Sequence, residues 1–339
     1  MQNEIKEPSD LLHKNGQLVQ RGWARKLILK YNRENVKMGW HRIKEWDCYE
    51  IINPKFALIL IIADVGYFGM ATITWLDFEK KLVQNGLLLK LFTRGRLNLP
   101  PSSDTGDLHF SKKDAKMSFI REKEKRFLSV NYPGFSKGKG IKGEVTLYQD
   151  PDMDTMVNVI PFKDNKHFVY AQKINCMPAK GVVQIGQETY EFSEETSFSC
   201  LDWSRGTFPY RTSWYWGSAS GLIDGKPFGF NIDYGFGDES IASKNMLFYE
   251  GKGHKLGEIT FYIDRTDYMK PWKFTSNDGR FEMVMEPVLD NCSSLNILIL
   301  KTSGHSMFGY FTGDVVLDSG ERLHLDRFFG FAESDSHRW

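Results

Sequence analysis

The sequence predicts an all-β protein of two antiparallel barrels, or barrel-like sandwiches, in tandem with few short helices. Three observations predict it. Helical periodicity is scarce across the 339 residues. Most of the chain reads as short runs of β-prone residues broken by Gly, Asp-Gly or Asn. About sixteen such runs are more than one eight-stranded barrel needs, and they suit two. The length agrees, because at about 150 residues per domain the chain is one large domain or two ordinary ones.

The elements follow in order. Residues 1–40 are expected as an N-terminal arm, within which Gln17–Lys30 forms a short helix or an irregular stretch. The first barrel, residues 41–177, is expected to hold strands Glu45–Ile52, Phe56–Asp64, Met70–Phe78, Met117–Arg121, Phe127–Asn131, Glu144–Gln149, Met156–Pro161 and Lys166–Asn175. Asp77–Leu91 is read there as carrying one or two helical turns, and the basic, Gly-rich Gly134–Gly143 as a solvated loop. The turn-rich Asn175–Lys180 marks the boundary. The second barrel, residues 178–339, takes Gly181–Ile185, Glu188–Phe192, Thr212–Ile223, Pro227–Phe236, Glu258–Asp264, Arg280–Glu286, Leu295–Ser303 and Met307–Leu317.

Composition narrows the function classes. The 44 Lys and Arg against 43 Asp and Glu give a net charge of +1, so there is no global electrostatic footprint for nucleic acid or anionic lipid. The four Cys form no CxxC pair, which argues against a zinc ribbon or a disulfide scaffold, and they read as small buried residues. The polar N-terminus lacks the pattern of a secretory signal, and the apolar run Phe56–Ala63 is far shorter than the ~20 residues of a membrane span. A soluble cytoplasmic protein without a transmembrane segment is the expectation. The aromatic share of 14% is high, and both large cores and ligand pockets use aromatics.

Several familiar motifs fail on inspection. Gly138–Gly143 spells GxGxxG but leads into a strand, not the helix N-terminus that would hold a pyrophosphate. Gly217–Gly221 resembles a nucleophile elbow, but its central residue is Ala219. Asp150–Asp154 begins like a calcium loop, yet Thr155 and Pro161 stand where Gly and Glu are needed. The eight His are scattered without HxH or HExxH spacing, so only folding could assemble a mononuclear metal site. No metal and no cofactor are expected, and His324-Leu-Asp326 reads as a polar pair at a strand end.

The stretch Thr212–Gly237 carries the most information. Asp224-Gly225 is the favoured pair for a two-residue type I′ turn, and this fixes a register. One face then pairs Tyr215 with Tyr234, Gly217 with Ile232, Ala219 with Phe230 and Gly221 with Phe228, each large ring over a small partner except the first two. The other pairs Trp214 with Gly235, Trp216 with Asp233, Ser218 with Asn231 and Ser220 with Gly229. A core face would not normally bury Asn231 and Asp233, since an unpaired buried polar group costs roughly 1–3 kcal/mol. A solvent face would not normally display two Trp. The mixture fits the lumen of a barrel or a cleft holding a ligand, and equally a ladder with Trp lids or an internal polar network between sheets.

Upstream, Cys200–Tyr210 (Cys-Leu-Asp-Trp-Ser-Arg-Gly-Thr-Phe-Pro-Tyr) is read as a turn through Gly206 and Pro209. Asp202 and Arg205 are close enough in sequence to pair, either as a positioned acid flanked by Trp203 or as a salt bridge closing the turn. The candidate catalytic residues are therefore Asp202 and Arg205. The candidate ligand-binding residues are Trp203, Tyr210, Trp214, Trp216, Ser218, Asn231 and Asp233.

Here the sequence resembles a known family. Trp23-Ala-Arg25, Arg42–Asp47, Ala63–Tyr67, Gln172–Pro178, Leu201–Gly206, Trp214–Gly221, Gly229–Asp238 and Asn245–Lys252 resemble the bacterial family called domain of unknown function 2804, over nearly the whole chain. A fainter similarity links Gly181–Phe192, Asp202-Trp203 and Trp214-Tyr-Trp216 to the hydroxyneurosporene synthase (carotenoid 1,2-hydratase) and AttH-like proteins. That resemblance implies two lipocalin-like barrels. It also implies a relation to enzymes that protonate or cyclise isoprenoid chains without a cofactor, with Asp202 as the acid and Trp214 and Trp216 steadying a carbocation. This chain departs from that pattern in the Ser-Arg-Gly that follows Trp203.

Three functions follow as expectations. The first is a lipocalin-like binder of a small lipophilic molecule, isoprenoid or fatty-acid-like. The second is a cofactor-independent hydratase, cyclase or isomerase, a lyase or isomerase with Asp202 as acid. The third is a structural or partner-binding protein with filled barrels.

Overall fold

The computed structural model describes residues 2–164, 166–297 and 300–338. Of the expected strands, Leu295–Ser303 lies partly outside these. Nearly every element is a strand. A 13-stranded and a nine-stranded sheet account for all of them except a two-stranded parallel pair, Ser9–Asp10 with Leu29–Lys30.

The larger sheet runs in the order Leu82–Leu91, Phe68–Asp77, Phe56–Asp64, Ile43–Ile52, Phe198–Thr207, Phe168–Ile185, Ile141–Tyr148, Lys125–Tyr132, Ala115–Arg121 and Leu108–Lys112. Its first and last strands lie beside each other, so the sheet curls almost into a ring. The smaller runs Lys252–Lys255, Met246–Tyr249, Lys226–Tyr234, Arg211–Ile223, Arg322–Arg338, Leu300–Val316, Phe281–Ile297, Trp272–Ser276 and Ile259–Tyr262, and the last of these returns against Lys226–Tyr234. Two curled antiparallel sheets in tandem are thus the all-β architecture expected. Curling removes long exposed edges, which a flat sheet of this width would present.

Each curl is packed. The first encloses Trp203, Tyr170, Phe110, Phe135 and Leu60 with a buried polar network in which Arg126 donates to Gln149, Tyr49 and the Ser103 carbonyl. The second encloses Phe228, Phe230, Trp272, Phe274, Phe281 and Phe311. A third cluster lies between them, where Cys48, Ala57, Ile59, Leu76 and Cys200 meet Trp216, Leu289, Phe308 and Phe331. The two sheets therefore meet by their outer faces.

The segment Asn175–Lys180 is strand, not turn. Phe168–Ile185 is continuous through position 177/178, where the boundary is expected, and the sheets divide between Thr207 and Arg211. Its turn-like composition makes a bulge, at which the register against Phe198–Thr207 shifts between Ile174 and Met177 and Cys176 takes φ 59°. The bulge lets one strand pair with Met156–Pro161 in its first half and Ile141–Tyr148 in its second. It also fastens the sheets together. Asn175 Nδ2 donates to Ser218 Oγ at 2.8 Å and to the Phe230 carbonyl at 3.1 Å, and the Cys176 amide donates to Ser220 Oγ at 3.0 Å.

Two helical readings fail. Leu82–Leu91 is a strand pairing with Phe68–Asp77 along its whole length, so ladder hydrogen bonds override a weak apolar spacing. Residues 17–30 contain only the short strands Gly22–Ala24 and Leu29–Lys30. The arm to which they belong ties both sheets: Trp23 pairs with Asn158, and Arg25 bridges Asp154 at 3.0 Å and the Gly253 carbonyl.

Candidate functional site

Side chains alternate across a strand, so each strand at the meeting of the sheets splits its residues between a packed interior and the shared outer face. On Phe198–Thr207, Leu201, Trp203 and Arg205 point into the first curl, while Cys200, Asp202 and Ser204 point out. On Ile43–Ile52 the outward set is Trp46, Cys48 and Glu50, and on Phe168–Ile185 it is Ala171 and Lys173. Facing them are Trp214, Trp216, Asp233, Glu333, Asp335 and His337 of the second sheet. Together with Phe236, Ile61, Ala63, Val65 and Met70, these residues line an open cleft of about 280 Å³.

The Asp224-Gly225 register is found as expected, including Trp216 opposite Asp233, Ser218 opposite Asn231, Ala219 opposite Phe230 and Ile223 opposite Lys226. Both turn residues have positive φ, 50° and 75°, as a type I′ turn requires. The mixed face looks into the cleft between the sheets, not into a barrel lumen. Its apolar counterpart, Ala219, Phe228, Phe230 and Ile232, fills the second curl.

The candidate residues are sorted by this geometry. Asp202, Trp214, Trp216 and Asp233 line the cleft together. Asn231 and Ser218 are fully buried braces beneath it: Trp216 Nε1 donates to Asn231 Oδ1 at 2.7 Å, and Ser218 accepts from Asn175. Arg205 and Trp203 are not in the cleft. Asp202 and Arg205 do not pair, because a separation of three in a strand puts side chains on opposite faces, whereas the expected pairing assumed a turn. Arg205 instead holds Asp47 at 2.9 Å and the Pro100 carbonyl at 2.7 Å inside the first curl, with its guanidinium 4.4 Å from the Trp203 ring centre. Tyr210 sits at the connection between the sheets, 37% exposed and away from the cavity wall.

Asp202 is an acceptor on every side. Its Oδ1 takes Lys173 Nζ at 3.0 Å and Ser204 Oγ at 3.2 Å, and its Oδ2 takes Trp46 Nε1 at 3.0 Å. Lys173 Nζ also stands 3.7 Å from the centre of the Trp216 ring, a close cation–π contact. Asp233 is paired with Lys244. The remaining carboxyls behave differently. Burial pushes Glu50 up to about 8, and Asp202 adds to the rise against the pull of Lys173. Burial also holds Glu333 well above the carboxylate range, with the charges of Asp335 and Glu50 raising it further. Glu50 is therefore a carboxylic acid at neutral pH, and Glu333 is shifted in the same direction. Glu333 accepts from Trp214 Nε1 at 2.9 Å and from Ser306 Oγ at 3.2 Å, while Glu50 Oε2 is buried with no hydrogen-bond partner among the described residues.

Sequence reasoning missed Lys173, Glu50 and Glu333. The run Glu333-Ser-Asp-Ser-His337 does alternate titratable residues with Ser, so a strand here gathers Glu333, Asp335 and His337 on one face. What it lacks is any local sign that this face meets Trp214 and Trp216, a pairing made across more than a hundred residues.

The family model described as domain of unknown function (DUF2804) matches residues 2–339. No curated protein sequence matches. In fold the chain is similar to kievitone hydratase from Nectria haematococca, with a TM-score of 0.50, 10% identity, and 87% of this chain and 88% of that one covered. It also aligns with an AttH-like protein from Nitrosomonas europaea, with a TM-score of 0.46, 11% identity, and 86% and 92% covered. At such identities the likeness is one of fold.

Proposed function

This chain belongs to the domain of unknown function 2804 family, and from its cleft we propose that it binds a small, largely apolar molecule carrying one polar end between its two sheets. One observation carries this reading: an aromatic wall of Trp46, Trp214, Trp216 and Phe236 shares the cleft with a buried carboxyl, Glu50, whose Oε2 has no partner among the described residues. A buried polar atom without a partner is costly, and a ligand hydroxyl or carbonyl in the cavity would satisfy it. The volume of about 280 Å³ lies at the lower edge of the ~300–1,000 Å³ usual for such sites, favouring a compact molecule or the head of a longer isoprenoid or fatty chain. Native mass spectrometry of the purified protein, with melting curves across a panel of isoprenoid alcohols and fatty acids, tests this. A ligand at 100 times its dissociation constant raises stability by about 2.7 kcal/mol. No recovered molecule and no shift across the panel would remove the reading.

A second reading, acid catalysis without a cofactor, is favoured by the carboxyl of Glu333, held above the ordinary carboxylate range by burial, beside Trp214 and Trp216. Asp202, expected as the acid, already accepts three hydrogen bonds, so the donor role passes to Glu333 and Asp202 serves to hold Lys173. In a hydration, the Glu333 proton would add to an alkene carbon, the indole faces would steady the cation, and water would add and return one proton to Glu333. Incubating isoprenoid alkenes with the protein in deuterated water tests it: deuterium enters product with wild type and not with Glu333→Gln. Product formation by Glu333→Gln at the wild-type rate would end the assignment.

We propose the cytoplasm as the compartment, supported by Cys48, Cys176, Cys200 and Cys292 all being unpaired. Among the described residues, no helix is long and apolar enough to cross a membrane.

A further inference from the structure

The long hairpin Phe281–Ile297 with Leu300–Val316 turns Ser293 and Ser306 toward the cleft, and on its opposite face it brings together three side chains of different ligand chemistry. Cys292 and His305 are directly opposed across the ladder, and Asp290 lies two residues from Cys292 on the same face. One donor atom from each lies within 4.8 Å of the others. Asp290 Oδ2 and His305 Nδ1 are 2.8 Å apart, and Asp290 Oδ1 is buried with no hydrogen-bond partner among the described residues. The Tyr268 ring stacks on the imidazole, centres 3.8 Å apart and planes 11° from parallel, which fixes the plane in which the ring can present a nitrogen.

We propose that Asp290, Cys292 and His305 form a binding site for a divalent zinc ion. The donor set is the argument. Sulfur, imidazole nitrogen and carboxylate oxygen together are ligands that Zn²⁺ accepts and Mg²⁺ or Ca²⁺ do not. Bond lengths of ~2.0–2.3 Å place tetrahedral ligands roughly 3.5 Å apart, a spacing that rotation about the side-chain bonds reaches from the present positions. Two adjacent hydrogen-bonded strands supply all three groups, so the backbone is organised before the ion arrives. The exposed position of Cys292 provides entry and leaves a fourth coordination place to water.

A nucleophilic Cys-His-Asp triad is the competing use of the same residues. Only the metal site gives a sulfur-to-metal band with cobalt(II), which separates the two uses. Four Cys without paired spacing and scattered His hid this set from the sequence. Cys292, expected to be buried, is in fact exposed, since it lies where the hairpin extends past the packed core.

The test uses the full chain, stripped with chelator and titrated with zinc chloride by calorimetry. One equivalent should bind, and Cys292→Ser and His305→Ala should each weaken binding at least about tenfold while melting like wild type in chelator. Should either lose its fold, Asp290→Asn is read the same way. Cobalt(II) in place of zinc should give a sulfur-to-metal charge-transfer band that Cys292→Ser lacks. No saturable zinc binding by wild type, binding unchanged in the variants, or a cobalt complex without the sulfur band would each overturn the site.

Discussion

Trp214 Nε1 donates to Glu333 Oε1 across 2.9 Å, joining an indole of one strand to a carboxyl of its neighbour in the wall of the cleft. Ionisation of Glu333 would place a charge on the acceptor of that bond. Tryptophan emission should therefore change in wild type as pH rises above the ordinary carboxylate range, and Glu333→Gln should lose that component while keeping the one that Glu50, titrating at about 8, contributes. Identical curves would show that Glu333 does not titrate there.

Glu50 has its own consequence for stability. Its folded value of about 8 lies above the ordinary 4.5, so the folded state keeps a proton that the unfolded state releases between these pH values. The sign follows: stability is greatest below about 4.5 in this group's contribution and falls as pH rises through 8. At pH 7 the loss is on the order of 3 kcal/mol, and Glu50→Gln should recover much of it. Melting curves from pH 5 to 9 check this, and a parallel pH dependence in the two proteins would refute it.

The Lys173–Asp202 pair is nearly fully buried. Asp202→Asn strands the ammonium over the Trp216 ring and should cost about 3–5 kcal/mol, whereas Lys173→Met with Asp202→Asn should be less damaging than the sum of the singles. Denaturant unfolding of the four proteins measures the coupling. Additive losses would mean that the two charges do not interact.

Gly229 sits under the bulge that joins the sheets. A Cβ there would stand 2.6 Å from Cys176 Sγ and 2.7 Å from the Ala219 carbonyl oxygen. Gly229→Ala should lower stability by roughly 1–3 kcal/mol, and Cys176→Ala in the same chain should restore only part because the carbonyl does not yield. A variant as stable as wild type would show that the junction is looser than drawn.

The local half of the site was legible. Asp224-Gly225 sets the hairpin pairing because turn geometry leaves one register, and that pairing put Trp214, Trp216 and Asp233 on one face. The Phe198–Thr207 strand was not legible, because Gly206 and Pro209 signal a turn while the segment is held by ladders on both sides, to Ile43–Ile52 and to Phe168–Ile185. Reading it as a turn joined Asp202 to Arg205, and the strand's alternation separates them.

The all-β class, the register of the central hairpin and the chemical split between its faces could be read locally, since each depends on turn residues and a period of two within a few positions. Tertiary structure alone decided what the mixed face looks at. Lys173, Glu50 and Glu333 reach Trp214 and Trp216 only because the outer faces of two curled sheets meet, and the forces that bring them together act between residues too distant in sequence to leave a local pattern.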